Sequence, residues 1–462
     1  MTARGVSHTR ELLRRGELSA VEHTTAVLTA VRERDALDAY VAVGGEEALR
    51  AAERADARIR RLGADAWRTM PLLGVTVSVK DLLQTHDLPT ARGSLLPNER
   101  PREDAPAVAR LRAAGAVVVG KTATSEYGWS ASTVSRAAPP VRNPYDPRLT
   151  AGGSSGGAAA AVATGLCDGS LGTDGSGSIR IPAAFCGVVG YKPSLGRIPY
   201  FPNSADRLAH QGPIARTVAD AALLGKVMAG PHPADPDSGL GSLEAPRTGR
   251  VLRIGWIEYG GTSDEVRRVT GKARLALTGR GHLVEDVEVR CTDLYPALVD
   301  ILAASEAAGA RPEDDEWADP GRLAVIRHGR TLRGADVIRA EEVRQGLRTT
   351  LRTVMGHYDV LAMATVPVEP FAADAIGPSW AADPRDLKWL AWAPASYPFN
   401  MTGQPALSLP AGLTRSGLPV GVQLVGPVGA DDLVLRLAGR LESDLGTPVP
   451  PDARVLEPAA AR

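Results

Sequence analysis

The sequence predicts an α/β protein folded as one large domain, its central, largely parallel sheet covered by helices on both faces. Three observations carry this. At 71–121 and again at 253–289, a strand-like apolar run is followed by a helical pattern and then a second strand-like run. Such β-α-β units imply a parallel sheet. The chain has 462 residues, long enough for a large core, and no composition break separates clean domains. Finally, the stretch from Ala151 to Pro193 holds two Gly/Ser clusters followed at once by the apolar segment Ile179–Val189, so it reads as buried rather than as a linker.

Taken in order, residues 1–70 read as a helical layer. Thr9–Arg15, Ser19–Arg34 and Glu46–Leu62 carry apolar residues at helical spacing, and Ser19 with Glu22 fits a capping box. Residues 71–230 hold the core motifs. Val75, Val77 and Val79 alternate with Thr76, Ser78 and Lys80, the period of a strand. Lys80 falls at the strand's end beside Asp81, where a lysine reaching water, paired to Asp81, is the simpler reading. Ala105–Ala114 is an amphipathic helix, and Val117–Lys121 a buried strand. Residues 126–150 are irregular, with Pro139-Pro140 and Asn143-Pro144 as turn signals, and this loop is a candidate pocket wall. Gly212–Gly230 reads as a helix. Residues 231–392 form a variable region: a Pro/Gly/Asp-rich excursion over 231–250, strands at Arg253–Ile257, Gly281–Val289 and Tyr358–Ala364, a helix at Ser263–Gly279, and a charged helical stretch over 296–357 that reads as a cap or a solvated layer. Residues 393–462 close the core with a strand at Leu418–Val425 and a helix at Asp431–Leu445.

Composition narrows the function. Lys+Arg and Asp+Glu both number 53, so no global basic field points to nucleic acid or an acidic membrane. The N-terminus lacks the apolar core of a signal peptide, and no apolar run is long enough to span a bilayer. Three cysteines, none in a C-x-x-C pair, give neither a disulfide framework nor a zinc site, and no metal is expected. A cytoplasmic enzyme or binding protein fits best. Only six of the 53 cationic residues are lysines: Lys80, Lys121, Lys192, Lys226, Lys272 and Lys388. Arginine cannot serve as a base, so a lysine inside an apolar segment is a stronger catalytic candidate here than in a lysine-rich chain.

Two small-residue clusters dominate the central stretch: Gly152-Gly153-Ser154-Ser155-Gly156-Gly157 and Gly172-Thr173-Asp174-Gly175-Ser176-Gly177-Ser178. Serines held between glycines can be displayed on unusual backbone with free N–H groups nearby, which suits a nucleophile and an oxyanion hole. Gly152–Gly156 formally fits the G-x-S-x-G elbow, but Asn143–Pro147 before it is not a strand, and no histidine lies in a triad context. A Walker loop would need Lys after Gly157, where Ala158 stands. A serine activated by a desolvated, neutral lysine remains, with a second serine able to relay the proton. Lys80 and Lys121 both suit the base role at this point.

Residues 152–193 closely resemble the signature of the amidase signature family of serine amidohydrolases. Gly74–Asp81 resembles the family's lysine strand, Arg142–Pro147 its lead-in, Gly212–Asp220 its following helix, and Phe399–Gly426 its C-terminal block. The resemblance covers roughly residues 10–445 and is weakest over 231–392. It implies a mixed sheet in a single domain, and an amidase that cleaves a carboxamide C–N bond through an acyl-serine. By position it implies Ser178 as nucleophile, Ser154 as a bridging serine on a cis peptide, Lys80 rather than Lys121 as general base, and the backbone N–H groups of Gly175, Ser176, Gly177 and Ser178 as the oxyanion hole. Tyr127, Gly128, Trp129 and Ser130 are expected to face substrate. No cofactor is implied; the partner is a small-molecule amide, and a homodimer is the family-based expectation. Many members have glycine where this chain has Ser176, which raises the expectation of a strained loop and a smaller pocket. The alternatives are the A component of a tRNA-dependent glutamine amidotransferase, which works in a complex, a specialised biosynthetic amidohydrolase or acyl transferase, and an inactive binding homologue.

Overall fold

From Thr76 to Lys80 every residue is buried, the polar ones included. Alternation in this strand does not separate core from water. It separates an apolar face from a polar face that is also covered. On the polar face Thr76 Oγ1 donates to Asp168, Ser78 Oγ donates to Ser170 Oγ at 2.8 Å, and Lys80 points at a serine. Buried polar groups need such partners, and here neighbouring strands and loops supply them.

The structure, a computed structural model, describes residues 5–97, 100–202, 207–241, 250–292 and 294–451. Among these, eleven strands form one sheet: β1 (Tyr40–Val43), β2 (Thr76–Lys80), β3 (Val117–Thr122), β4 (Gly169–Asp174), β5 (Val189–Lys192), β6 (His210–Ala215), β7 (Arg253–Trp256), β8 (Leu283–Asp286), β9 (Val360–Ala364), β10 (Ala406–Leu413) and β11 (Pro419–Val425). Their order across the sheet is β1-β3-β2-β4-β6-β5-β10-β11-β9-β7-β8. The sheet is mixed. Parallel pairing joins β3, β2 and β4 on one flank and β9, β7 and β8 on the other, while the middle of the sheet from β4 to β9 is antiparallel. The two β-α-β units read from the sequence are these flanks.

The N-terminal helices form as expected, with the Ser19–Glu22 capping box present. Helices Leu294–Gly309, Pro320–Thr331 and Gly334–Met355 fill the charged stretch. The helix read over Gly212–Gly230 is corrected. Its first residues belong to β6, and the helix runs only from Val218 to Met228, capped by the Thr217 hydroxyl. Gly212 and Pro213 hid the strand, because both residues are poor strand formers. The Pro/Gly-rich excursion falls within the described residues only at 231–241 and 250.

Helix Gly156–Thr164 is buried on every side, against the sheet and the N-terminal helices. A Cβ at Gly157 would lie 2.5 Å from the Ala39 carbonyl oxygen and 2.6 Å from the Ala123 nitrogen. Close packing therefore dictates the Gly/Ala composition, and it fixes the turn that carries Ser154. Cys167 and Cys186 are buried and Cys291 is half-buried, all as free thiols. No helix among the described residues is long and apolar enough to cross a membrane.

Candidate active site

β2 and β4 run parallel as neighbours, with Val79 beside Leu171. Their C-terminal ends therefore bring Lys80 to Thr173 and Asp174, and ligand sites in such sheets lie off these ends. Lys80 is fully buried. Its Nζ lies 2.7 Å from Ser154 Oγ and 2.8 Å from Thr173 Oγ1. Burial pushes its pKa well below the ordinary lysine value, opposed only in part by the charge of Asp174. The Gly153–Ser154 peptide is cis.

The reading of Lys80 as a solvent-reaching lysine paired to Asp81 is corrected. Asp81 pairs with Lys121 instead, at 3.3 Å, because β3 places Lys121 alongside β2. Lys121 also donates to the Leu83 carbonyl and to Thr90 Oγ1. Burial lowers its pKa to about 8 against the pull of Asp81. Its partners make it a structural cation, with no contact to either cluster of serines.

After β4 the chain turns through Gly175–Ile179 into helix Arg180–Cys186, and Asp174 ties this loop together. Its Oδ1 accepts from the Gly177 N–H at 2.7 Å, and its Oδ2 from the Ile179 N–H at 3.2 Å and from Arg180 Nε at 2.9 Å. Arg180 is fully buried and also donates to Asn400 Oδ1, Gln423 Oε1 and the Ser396 carbonyl. Burial alone would raise the Asp174 carboxyl; the adjacent Arg180 charge and these hydrogen bonds hold it well below the carboxylate range. The oxyanion-loop expectation changes in one respect. The Gly177 N–H is committed to Asp174, which leaves those of Gly175, Ser176 and Ser178.

The expected strain at Ser176 is also absent. The left-handed position in this loop is Gly177, at φ +122°, where a Cβ would lie 2.6 Å from Ser396 Oγ. Ser176 does not have positive φ, so a side chain is tolerated there. Its hydroxyl is buried without a hydrogen-bond partner among the described residues.

Ser154 and Ser178 open onto one cavity of about 120 Å³. Gly175, Ser176, Thr173 and all four expected pocket residues, Tyr127, Gly128, Trp129 and Ser130, line it. Gly128, at φ +79°, sits directly over Ser154: a Cβ there would come within 3.2 Å of its hydroxyl. The opposite wall, Leu302, Ser305, Glu306, Val325, Trp389 and Leu390, comes from the variable region. The Ser178 hydroxyl forms no hydrogen bond among the described residues, so the Lys80–Ser154 leg of a relay is formed and the Ser154–Ser178 leg is open. One cluster of metal-ligand type among the described residues, His86, Asp87 and Asp104, shares no residue with this cavity, and Arg112 bridges its two aspartates.

Sequence reasoning missed Asp174, Arg180, Thr173, Ser396 and the roles of Asn400 and Gln423. The available signal was polar residues set inside otherwise apolar segments, such as Gln423 in Pro419–Val425.

Residues 22–435 match the family described as Amidase. The A component of the glutamyl-tRNA(Gln) amidotransferase of Thermus thermophilus is 36% identical over 467 residues, covering 93% of this chain and 94% of the relative. An acylamidase of Rhodococcus erythropolis is 35% identical over 406 residues, covering 81% and 82%. Among solved structures, a bacterial aryl acylamidase of the amidase signature family superposes with a TM-score of 0.87 at 25% identity, over 97% of this chain and 99% of that one. With a family match spanning nearly the whole fold, and relatives this similar along most of their length, the chain belongs to the amidase signature family, enzymes that act on amide C–N bonds.

Proposed function

We propose that this protein hydrolyses a small carboxamide through an acyl-serine at Ser178. The observation that carries the reading is the 2.7 Å contact between a fully buried Lys80 amine and Ser154, within the cavity that Ser178 shares. Desolvation of this kind favours the neutral form of a lysine, which can accept a proton.

In the first half-reaction Lys80 takes the Ser154 proton as Ser154 takes that of Ser178. The Ser154–Ser178 leg closes when substrate enters, as catalytic hydrogen bonds tighten in the Michaelis complex. Ser178 Oγ bonds to the carbonyl carbon, and the C=O π pair moves onto oxygen. The N–H groups of Gly175, Ser176 and Ser178 face that oxyanion, and one such donor typically contributes about 10²–10³ in rate. Collapse breaks the C–N bond, and the amine leaves with the proton returned from Lys80 through Ser154. Water then repeats the sequence on the ester, releasing the acid and restoring Ser178. Asp174 and Arg180 touch no reacting atom and position the loop.

The test is intact-protein mass spectrometry over a panel of primary and aryl amides. The expected result is an acyl adduct on Ser178 with release of ammonia or amine, absent in Ser178→Ala. Turnover by that variant would overturn the assignment.

The amidotransferase reading is favoured by one observation, the high identity to the Thermus protein along nearly its full length. It predicts that the chain copurifies with other components of a complex, and that the isolated chain releases no ammonia from simple amides. The cavity argues the other way. Glutamine brings an α-carboxylate, and the described lining residues include no lysine or arginine to meet it.

A further inference from the structure

Aromatic residues make up 4% of this chain, yet Tyr127, Trp129, Tyr200 and Trp389 all line the one cavity above Ser178. Among the described lining residues a single charged side chain, Glu306, joins them. It lies one helical turn beyond Leu302 on helix Leu294–Gly309, so both face the cavity. Glu306 Oε2 accepts from Arg322 Nε at 2.8 Å. The same guanidinium lies 3.7 Å from Glu126 Oε2 and stacks 4.1 Å from the Tyr127 centroid. One guanidinium thus stands between two carboxylates. Arg92 lies 5.9 Å from the Tyr127 centroid and, with Arg311 and Arg322, lines an adjoining cavity that shares Tyr127.

Aromatic faces attract cations through their quadrupole, and a partly buried carboxylate adds direct attraction in a medium that screens it poorly. Among the described lining residues an anion finds no lysine or arginine. We propose that this cavity selects amides whose acyl chain carries a protonated amine and rejects those ending in a carboxylate, with Glu306 as the specificity-determining residue. The turnover part of this inference rests on the acyl-serine reading above; the binding part stands without it.

The experiment compares ω-aminoalkanamides, from 4-aminobutanamide to 7-aminoheptanamide, with alkanamides of matching length and with adipamic acid. For the wild-type protein, kcat/KM for the best aminoalkanamide should exceed that of its alkanamide match by about tenfold or more, and adipamic acid should be the poorest substrate. Glu306→Gln should collapse the cation preference to within about threefold. The same ranking should appear in calorimetric binding to Ser178→Ala, which needs no turnover. Binding preference without an acyl adduct would sink the hydrolytic reading and leave this inference standing. Turnover of both series without preference would sink this inference and leave hydrolysis standing. Should Glu306→Gln fail to fold, the wild-type comparison alone decides: equal affinity for the paired amides, or no binding by either series, overturns the proposal.

Discussion

Lys80 and Arg180 are both cations with no exposure to solvent, anchored near opposite ends of the same loop, and the fold treats them in opposite ways. Arg180 meets a carboxylate, Asp174, and spends its donors on Asp174, Asn400, Gln423 and a carbonyl. These bonds lock the loop. Lys80 meets two hydroxyls, and the nearest carboxylate acts on it only through space. Burial lowers its pKa and so favours the neutral amine, which carries a lone pair. Lys121 lies between these extremes, buried but paired to Asp81. Lys80 differs from Lys121 and Arg180 in having no carboxylate at contact distance, and from the equally buried Lys192, whose partners are carbonyls, in touching a serine hydroxyl.

Ser178→Ala should have the largest effect. A loss of roughly 10⁴-fold or more in kcat is expected for a nucleophile acting as part of a unit. The melting temperature should stay near wild type, because the Ser178 hydroxyl holds no hydrogen bond among the described residues.

Lys80→Arg asks whether charge or the lone pair matters. Arginine puts a permanent cation in place of an amine that can become neutral, so steady-state assays should show a loss of about 10²–10⁴-fold. Near wild-type rates would make Lys80 structural, and the contrast with Arg180 would disappear.

Arg180→Met tests the other arm. It leaves Asp174 buried without its partner, which typically costs about 3–5 kcal/mol and is read by urea denaturation. Adding Asp174→Asn should recover part of that loss, since removing both charges leaves no orphan.

The pH dependence separates the two cations again. The folded pKa of Lys80 is depressed, so between the folded and unfolded values the unfolded chain binds more protons, and stability rises with pH. Lys80→Met should therefore exceed wild type in stability at neutral pH. That gap should narrow by about 1.4 kcal/mol per pH unit between the folded pKa and the unfolded value near 10.4. kcat/KM of the wild type should rise with pH as Lys80 loses its proton. A pH-independent stability gap would mean that Lys80 is not depressed.

Thr173→Val is the mildest probe. It removes one hydroxyl from the Lys80 amine while leaving Ser154 in place. A loss of about 1 kcal/mol in stability is expected, and about tenfold in kcat, since amine orientation depends on both contacts.

The long glycine-serine clusters and the lysine strand were legible because their spacing is local. Gly152–Gly157, Gly172–Ser178 and Val75–Lys80 each carry their signal within a few residues. Strands β4, β5 and β10 were not legible as strands. Gly169–Asp174 reads as a loop by composition, and it becomes a strand only because β2 and β6 pair with it on both sides. The helical region 296–357 was read correctly as helical, but its contribution of Glu306 and Val325 to the cavity wall could not be read. Helical periodicity states which residues share a face, and does not state what that face meets.

The sequence by itself determined the chemistry on offer: two displayed serines, an α/β scaffold, and very few lysines from which to choose a base. The tertiary structure alone decided which buried lysine was set against a serine hydroxyl. It also decided which backbone N–H was already taken, and which helix from the variable region closed the cavity. These depend on contacts between segments as far apart as Asp174 and Asn400, and burial, which sets the charge of an amine, is a property of the packed whole.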